Sequence, residues 1–222
     1  GGTVESALSE IVTMVNRLNE VFQRELSIKL ELVADNDKLV FTDRNTDPFN
    51  NNDDDGGLNT AVIDNAIGAD NYDIGHVVGT GGGGLAVLGA VCFEGYKGDG
   101  VTGSPNPVND AFYIDYVAHE IGHQFGAEHT FNGTAGACDS GRDRTAAYEP
   151  GSGSTIMAYA GICGNQNLQN NSDPYFAAKS LIQIDAFVSS SFRTSCGVMQ
   201  DAVNNTPQVD GGDDSVIPAN TP

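Results

Sequence analysis

Basic side chains are scarce in this sequence. Its 222 residues include 10 lysines and arginines against 30 aspartates and glutamates, which gives a formal net charge of −20. A surface of that sign repels the phosphates of nucleic acids and the headgroups of anionic membranes. Neither is therefore an expected partner. The excess of acid is interpreted first as an aid to solubility, and second as a sign that some aspartates bind calcium.

Long hydrophobic runs are absent as well. The longest, such as LAVLG and AFVSSSF, fall far short of the roughly 20 apolar residues that span a bilayer, so no membrane span is expected. The chain begins GGTVES, which lacks the basic start and apolar run of a signal peptide. If the protein is secreted, we expect that such a segment was removed or is not part of this sequence. Hydrophobic residues still make up 39% of the chain, which is typical of a globular protein.

Cysteine is rare, and its pattern excludes one class of site. No CxxC pair occurs, which excludes a zinc ribbon; the cysteines are Cys92, Cys138, Cys163 and Cys196. An even, widely spaced set indicates two disulfide bonds formed in an oxidising compartment. Composition leaves open the alternative of buried free thiols in a cytosolic protein.

Hydrophobic periodicity predicts alternating helices and strands. Apolar residues recur every three or four positions from about Thr3 to Glu25, which predicts an amphipathic helix. A second, shorter helix is predicted from about Leu58 to Ile67. Strands are predicted at SIKLELV, LVF, YDIGHVVG and LAVLGAVCF, because these segments either alternate or run apolar. This order predicts an α/β or α+β fold with a mostly parallel sheet.

For three polar features, a structural role is a simpler interpretation than a role in binding or catalysis. Residues 42–57, TDRNTDPFNNNDDDGG, predict a solvated loop, since the segment lacks the spacing and closing glutamate of an EF-hand; a cation site is the second interpretation. His76 lies inside a predicted strand and is interpreted as a hydrogen-bonded core residue rather than a ligand. Residues 201–222 are rich in Pro, Gly and Asp, which is typical of a linker or tail, with a further domain beyond it as one option.

The segment HEIGHQFGAEH, residues 119–129, carries the chemistry. His119 and His123 are four residues apart on a predicted helix, which lets two imidazoles share one zinc ion. Glu120 lies to one side of the pair, where it can reach a metal-activated water as a general base. Gly126 can adopt the left-handed conformation that ends a helix, so that His129 swings back as the third ligand. Three protein ligands leave a fourth position for water, as in catalytic zinc sites.

This extended pattern, HExxHxxGxxH, resembles that of the metzincin zinc endopeptidases. Their methionine turn is matched downstream by GSTIMAYAGIC, with the methionine at Met157. The resemblance covers roughly residues 3–200. It is strongest to the reprolysin (adamalysin) branch in its bacterial reprolysin-like form, because of the GLAVLGAVC segment and the isoleucine before Met157. Thr130 departs from that branch, which typically has Asp after the third histidine.

The resemblance implies a metzincin-type zincin fold. Helices lie above a twisted, mostly parallel sheet, and an irregular C-terminal subdomain lies below the cleft. Residues 1–200 would form the catalytic domain, with an upper subdomain of about 1–129 and a lower one of about 130–200. The low Lys and Arg count and the tail suit a secreted bacterial protein, which we expect to be a monomer. A propeptide or an extra C-terminal domain in the full-length precursor is an option.

The resemblance also implies roles for residues around the motif. Met157 gives the histidines a hydrophobic floor, and Tyr159 either ligates zinc or stabilises the transition state, as a tyrosine does in astacins and serralysins, or simply packs. The segment from Ala158 to Gly161 walls the specificity pocket. Glu128 is interpreted as a bystander. The upper rim of the cleft, where an extended peptide adds as an antiparallel strand, consists of Gly84, Leu85 and Ala86. The implied disulfides are Cys92–Cys196 and Cys138–Cys163.

The function implied is a secreted zinc-dependent endopeptidase that hydrolyses peptide bonds in proteins with Glu120 as the general base. Zinc is the expected catalytic cofactor, and calcium a structural one. The alternative is a catalytically silent, calcium-binding adhesion or recognition module on the same scaffold. The presence of Glu120 favours the peptidase, since a silent relative would be free to lose it.

Overall fold

Helices packed around a small sheet make up most of the regular structure. The computed structural model describes residues 2–190, 196–201, 210, 212 and 213, so most of the predicted tail at 201–222 lies outside the described residues. The helices are α1 (Val4–Leu26), α2 (Asp55–Ile67), α3 (Asp110–Phe112), α4 (His119–Gln124) and α5 (Ala178–Val188). No helix in the described part of the chain is long and apolar enough to cross a membrane.

Helix α1 matches its predicted position closely. Its first turn carries a capping box, in which the Thr3 hydroxyl oxygen accepts a hydrogen bond from the Ser6 N–H at 3.1 Å. Its apolar stripe is buried in the core at Met14, Leu18, Val21 and Phe22. Arg17, at the border of this stripe, forms a bidentate ion pair with Asp110 at 2.8 Å, which ties α1 to the start of α3.

Helices α3 and α4 are joined by a π-helical turn, Tyr113–Ala118. Residues 110–124 thus form one helical stretch, the site helix, which includes the helix predicted to carry His119 and His123. Asp115 in the π turn accepts hydrogen bonds from Asn171 Nδ2 at 2.6 Å and from the Ser172 N–H at 2.8 Å. These bonds fasten the wide turn to the chain that follows the methionine segment. Such turns frequently occur at functional sites.

The sheet has three short strands: β1 (Val77–Gly79), β2 (Gly83–Ala86) and β3 (Gly100–Gly103). Their order is β1-β3-β2, with β1 parallel to β3 and β2 antiparallel to β3. The α+β class is confirmed, and the sheet is mixed, with one parallel and one antiparallel pair. Strand β2 is an edge strand that packs against α4, which places it beside the HEIGH residues.

The strands predicted at SIKLELV and LVF are wrong. Residues 27–35 carry no strand, and a 3₁₀ helix, Asn36–Leu39, occupies part of the second segment. The reason is a side chain on α1: Asn19 Nδ2 donates to Leu30 O, and the Leu30 N–H donates to Asn19 Oδ1, both at 2.8 Å. The carboxamide pairs with the backbone as a neighbouring strand would, and so takes the place of one.

The strand predicted at LAVLGAVCF ends early, at Ala86. The chain turns at Gly89 and Cys92, which have φ of +67° and +62°. The N–H groups of Gly89 and Val91 donate to the carbonyl oxygens of His123 and Gln124 at the end of α4, at 2.9 and 3.2 Å. The N–H groups after β2 therefore bind carbonyl groups at the end of α4, which have no partner within the helix, instead of extending the sheet.

The cysteines pair as Cys92–Cys196 and Cys138–Cys163, the connectivity that the resemblance implied. The second bond belongs to a small cluster with Phe131, against which Tyr159 packs. The main core lies between α1, the site helix and α5. Residues 130–177 contain little regular structure: 3₁₀ turns at Gly136–Asp139 and Gly164–Gln166, and one isolated bridge, Phe131 with Glu149.

Candidate active site

The end of α4 brings the histidines of the motif together. His119 and His123 lie one turn apart on α4. The helix closes with a Schellman motif, in which the N–H groups of Gly126 and Ala127 donate to carbonyl oxygens of the last turn at 2.8 and 3.0 Å. Gly126 has φ of +87°, the left-handed conformation expected of it. The chain therefore reverses and carries His129 back to the other two.

The three imidazoles meet at one point. Their Nε2 atoms lie 3.0–3.1 Å from one another. Each Nδ1 atom lies 2.5–2.7 Å from a backbone carbonyl oxygen; for His119, His123 and His129 these belong to Ile156, Ala127 and Gly141 respectively. Since a carbonyl oxygen can only accept, each Nδ1 carries the ring hydrogen, and each Nε2 presents a lone pair.

Three converging lone pairs at this separation repel one another unless a cation lies between them. Imidazole nitrogens are common metal ligands, and carbonyl partners on the opposite ring nitrogen are the usual way of orienting them. The donor set thus fits a metal ion held by His119, His123 and His129. Among the residues that the structure describes, they are the one group of three or more His, Cys, Asp or Glu side chains whose ligand atoms converge.

Burial keeps these imidazoles neutral, which is the form that binds a metal ion. His119 is 3% exposed, and burial together with the neighbouring imidazoles lowers its pKa well below the usual value. Burial, and then His129, lowers the pKa of His123 to about 3. Burial also lowers the pKa of His129. The metal-free site therefore presents neutral ligands near pH 7 without first releasing protons.

Glu120 lies beside the histidines, against the edge strand β2. A Cβ atom at Gly84 would lie 2.5 Å from Glu120 Oε1, so the glycine leaves the space that the carboxyl group occupies. Glu120 is 8% exposed, and burial, with a smaller contribution from the charge of Asp53, raises its pKa to about 8. In the metal-free protein its carboxylate thus has a raised proton affinity, as suits a group that takes up a proton.

Met157 lies buried under α4. Its Sδ atom lies where a Cβ atom at Gly122 would come within 2.4 Å, so Gly122 makes room for the sulfur. Met157 O accepts a hydrogen bond from the Thr130 N–H at 3.0 Å, while the adjacent Ile156 orients His119. The methionine segment thus contacts both the first histidine and the residue after the third.

Tyr159 joins the histidine cluster through its ring. Its centroid lies 4.6 Å from that of His129 and 5.5 Å from that of His119, and the ring stacks on Phe131 at 4.5 Å. Burial, and then the charge of Glu120, raises the pKa of Tyr159 to about 12. Its phenol therefore stays protonated near neutral pH and can donate a hydrogen bond. The contacts of Tyr159 are thus compatible with both predicted roles: it packs against Phe131, and it lies close enough to the histidines to act at the metal site.

The residues predicted for the rim of the cleft and for the wall of the specificity pocket differ in their exposure to solvent. Within β2, Leu85 is 57% exposed at the free edge, whereas Gly84 faces Glu120. Ala158 is buried next to Met157. Gly161 has φ of +88° and lies against Asn170, where a Cβ atom would meet the Asn170 carbonyl oxygen at 2.2 Å.

His76 and Glu128, to which the sequence analysis assigned no catalytic or metal-binding role, are not part of the histidine cluster. His76 bridges two elements: its Nδ1 donates to Gln124 Oε1 at 2.9 Å, and its Nε2 accepts from the Thr102 hydroxyl at 2.7 Å. It behaves as the hydrogen-bonded core residue that was predicted. Glu128 is outside the histidine cluster, and its backbone N–H donates to Gln183 of α5 at 3.2 Å.

Sequence reasoning missed Gly122 and Glu149. The one signal for Gly122 was a glycine inside a predicted helix, where it costs about 1 kcal/mol relative to alanine and so needs a packing reason. Glu149 carried no signal, because its bonds form no recognised sequence motif. Its carboxylate accepts hydrogen bonds from the hydroxyl of Thr130, the residue that departs from the reprolysin pattern, and from Ser154 and Thr155, just before Met157.

Comparison with known proteins agrees with this geometry. The profile of the metallo-peptidase family M12B, reprolysin-like, matches residues 1–186, which include α1, the sheet, the site helix and the methionine segment. No curated protein shows significant similarity to the chain.

Proposed function

The chain belongs to the reprolysin-like metallopeptidases of family M12B, and from this we propose that it is a secreted, zinc-dependent endopeptidase. The observation that carries the proposal is the convergence of three imidazole lone pairs beside a buried carboxyl group and a free strand edge. Membership of the family implies a peptidase. The metal, the general base and secretion are the parts we propose.

We propose that His119, His123 and His129 hold zinc. Three neutral imidazoles suit this ion, and three ligands leave a coordination position free. When bound, zinc supplies a Lewis acid that polarises the carbonyl of the scissile peptide bond and makes water more acidic. The carbonyl oxygens of Ile156, Ala127 and Gly141 keep the three rings in the orientation that this requires.

Glu120 performs the proton transfers in this proposal. It takes the proton from the attacking water and passes it to the amine that leaves. Gly84 keeps the strand backbone close to Glu120, so that a substrate paired with β2 has its peptide bond beside the carboxylate. Tyr159 donates a hydrogen bond from its phenol to the substrate oxygen that gains negative charge.

Strand β2 binds the substrate in an extended conformation. One edge of β2 pairs with β3, and in the described part of the chain no strand pairs with the other, where we propose that the substrate adds. Main-chain pairing of this kind is independent of side chains, which suits a peptidase that accepts unfolded protein. Residues Ala158 to Gly161 line the pocket for one substrate side chain. Residues 1–129 and 130–200 form the two sides of the cleft.

The test compares two variants that each remove one carboxylate from the same eleven-residue segment. Zinc-loaded wild type is expected to cleave denatured casein, and a zinc chelator to abolish the cleavage. Glu120→Gln should lower kcat by at least about 100-fold, the usual scale for a general base, without loss of bound zinc. Glu128→Gln should retain wild-type activity.

Two results would contradict the proposal. A zinc-loaded wild type that cleaves neither casein nor any denatured protein would favour the silent recognition module instead. Unchanged cleavage by Glu120→Gln, with zinc content equal to that of the wild type, would remove Glu120 from the mechanism.

A further inference from the structure

One carboxylate joins the chain segment of the third histidine to that of the methionine. Glu149 Oε1 accepts hydrogen bonds from the backbone N–H groups of Ser154 and Thr155, at 2.9 and 3.1 Å. Its Oε2 accepts from the Thr155 hydroxyl at 2.6 Å and from the Thr130 hydroxyl. Both oxygens of one side chain are thus used by donors from two separate segments, and hydrogen bonds to an ionised acceptor are the stronger kind.

Two of these donor residues are close to the proposed metal ligands, one in sequence and one through a carbonyl group. Thr130 follows His129 in sequence, and it is fully buried. Thr155 precedes Ile156, whose carbonyl oxygen lies 2.7 Å from Nδ1 of His119. The carboxylate therefore joins the residue that follows one ligand, His129, to the residue that precedes Ile156, which orients another.

The backbone holds Glu149 in this position. Its N–H donates to Thr130 O at 2.9 Å, and its carbonyl oxygen accepts from the Asn132 N–H at 2.9 Å. Gly153 has φ of +66°, and a Cβ atom there would come within 3.0 Å of Glu149 Cδ, so the glycine leaves room for the side chain. Backbone pairing and the turn at Gly153 thus place the side chain of residue 149 where the four donors reach its carboxylate.

We propose that Glu149 is a positioning residue for the metal: by joining the segments of Thr130 and Thr155, it fixes His129 relative to His119. The inference rests on the proposed function, because it needs these histidines to bind zinc. In Glu149→Gln an NH2 group, which cannot accept, replaces one of the two oxygens, so the donors to that oxygen lose their acceptor. The two segments then separate, and the ligand triangle loosens.

Four proteins test this proposal: Glu149→Gln, Thr130→Val, the double variant Thr130→Asp/Glu149→Gln, and the control Glu31→Gln, which removes a carboxylate from the exposed surface. The readouts are the zinc dissociation constant, from competition with a chromophoric chelator, and the visible spectrum of the cobalt-substituted protein. Far-UV circular dichroism of the zinc-free proteins shows that each is folded. A merely structural role would lower the melting temperature of the zinc-free protein but leave both metal readouts unchanged.

The inference predicts a graded result. Glu149→Gln should weaken zinc binding at least tenfold, the range found for residues that orient metal ligands, and alter the cobalt spectrum. Thr130→Val removes one of the four donors and should weaken binding less. The double variant moves the carboxylate to the other side of the same hydrogen bond, with an amide facing it, and should recover most of the lost affinity. Glu31→Gln should match the wild type.

The outcomes separate the two proposals. Wild type that binds no zinc refutes the zinc site and this inference with it. Wild type that binds zinc but cleaves nothing refutes the peptidase alone. If wild type binds zinc and folded Glu149→Gln binds it within twofold as well, or if the double variant is no better than Glu149→Gln, the positioning role is overturned. Should Glu149→Gln not fold, Thr130→Val decides, and wild-type zinc affinity in that variant overturns the inference.

Discussion

Gly84 and Gly122 each lie where a side chain would meet a group of the candidate site. A Cβ atom at Gly84 would contact the Glu120 carboxyl group, and one at Gly122 would contact the Met157 sulfur. Both approach within 2.5 Å, closer than real Cβ contacts allow. At this scale, therefore, the position of the proposed general base depends on the strand opposite as much as on its own helix.

Gly84→Ala should displace Glu120 without affecting the metal ligands. We expect kcat on a peptide substrate to fall at least about tenfold, because a small misplacement of a reacting group has a large kinetic cost. Zinc content, measured by atomic absorption, should equal that of the wild type. Gly82→Ala is the control, since a Cβ atom there meets nothing within 4 Å. Wild-type kcat in Gly84→Ala would show that Glu120 tolerates the shift.

The histidine cluster could be predicted from sequence because each step in it is local. Helix pitch relates His119 to His123, and the left-handed glycine at 126 sets the turn to His129. Glu149 could not be predicted in this way. Its significance depends on the contact with Thr130, which is 19 residues earlier in the chain, and no local pattern in the sequence records that contact.

His76 links elements rather than residues. It joins the start of β1 to Thr102 in β3 and to Gln124 at the end of α4, so the sheet and the site helix share one imidazole. Gln124 Nε2 donates to Gly75 O at 2.8 Å, which fixes the amide and leaves its Oε1 to accept from His76. The ring is therefore held in a single neutral form with the hydrogen on Nδ1.

This link should make stability depend on pH. Burial lowers the pKa of His76 to about 4 from its usual 6.5. As pH falls below 6.5 the unfolded chain takes up a proton that the folded one does not, so stability is lost between about pH 6.5 and 4. In urea unfolding of zinc-free protein, the advantage of wild type over His76→Asn should shrink by about 1–2 kcal/mol from pH 7.5 to pH 5. A pH-independent difference would contradict the assignment.

The elements themselves were predicted unevenly. Helix α1 follows from apolar periodicity, which reports the face that it buries. Helix α2 forms where the same kind of pattern predicts it, but Leu58 on its apolar face is 45% exposed, and its buried residues are Asp55, Gly56, Asn59, Thr60 and Ile63. The segment SIKLELV alternates as a strand does, yet the Asn19 carboxamide binds its backbone. The alternating pattern thus predicted an extended backbone, but it could not show that a side chain, rather than another strand, pairs with that backbone. The π turn in the site helix could not be predicted for a similar reason, since the groups that hold it lie more than fifty residues away in sequence.

At the scale of the whole molecule, the net charge of −20 opposes the compact state through self-repulsion. Salt of any kind should relieve part of it by screening. A bound calcium ion, which remains a prediction, should add to that effect, because it binds the folded chain alone.

The two effects can be separated by matching ionic strength. Millimolar calcium chloride should raise the melting temperature of the zinc-saturated protein by about 3–5 °C above the value in sodium chloride of equal ionic strength. The measurement is differential scanning calorimetry. Equal melting temperatures in the two salts would show that screening accounts for the whole effect, and would refute the prediction of a calcium site.

The Cys92–Cys196 bond encloses the site helix, all three histidines and the methionine segment within one covalent ring. A peptidase at high concentration meets its own surface loops as substrates, and Tyr148, 72% exposed between the inner pair of cysteines, marks one such loop. A single cut at any point from residue 93 to 195 would leave both fragments bonded. Autolysis there would therefore be silent on a non-reducing gel, and would become visible only after the disulfides are reduced.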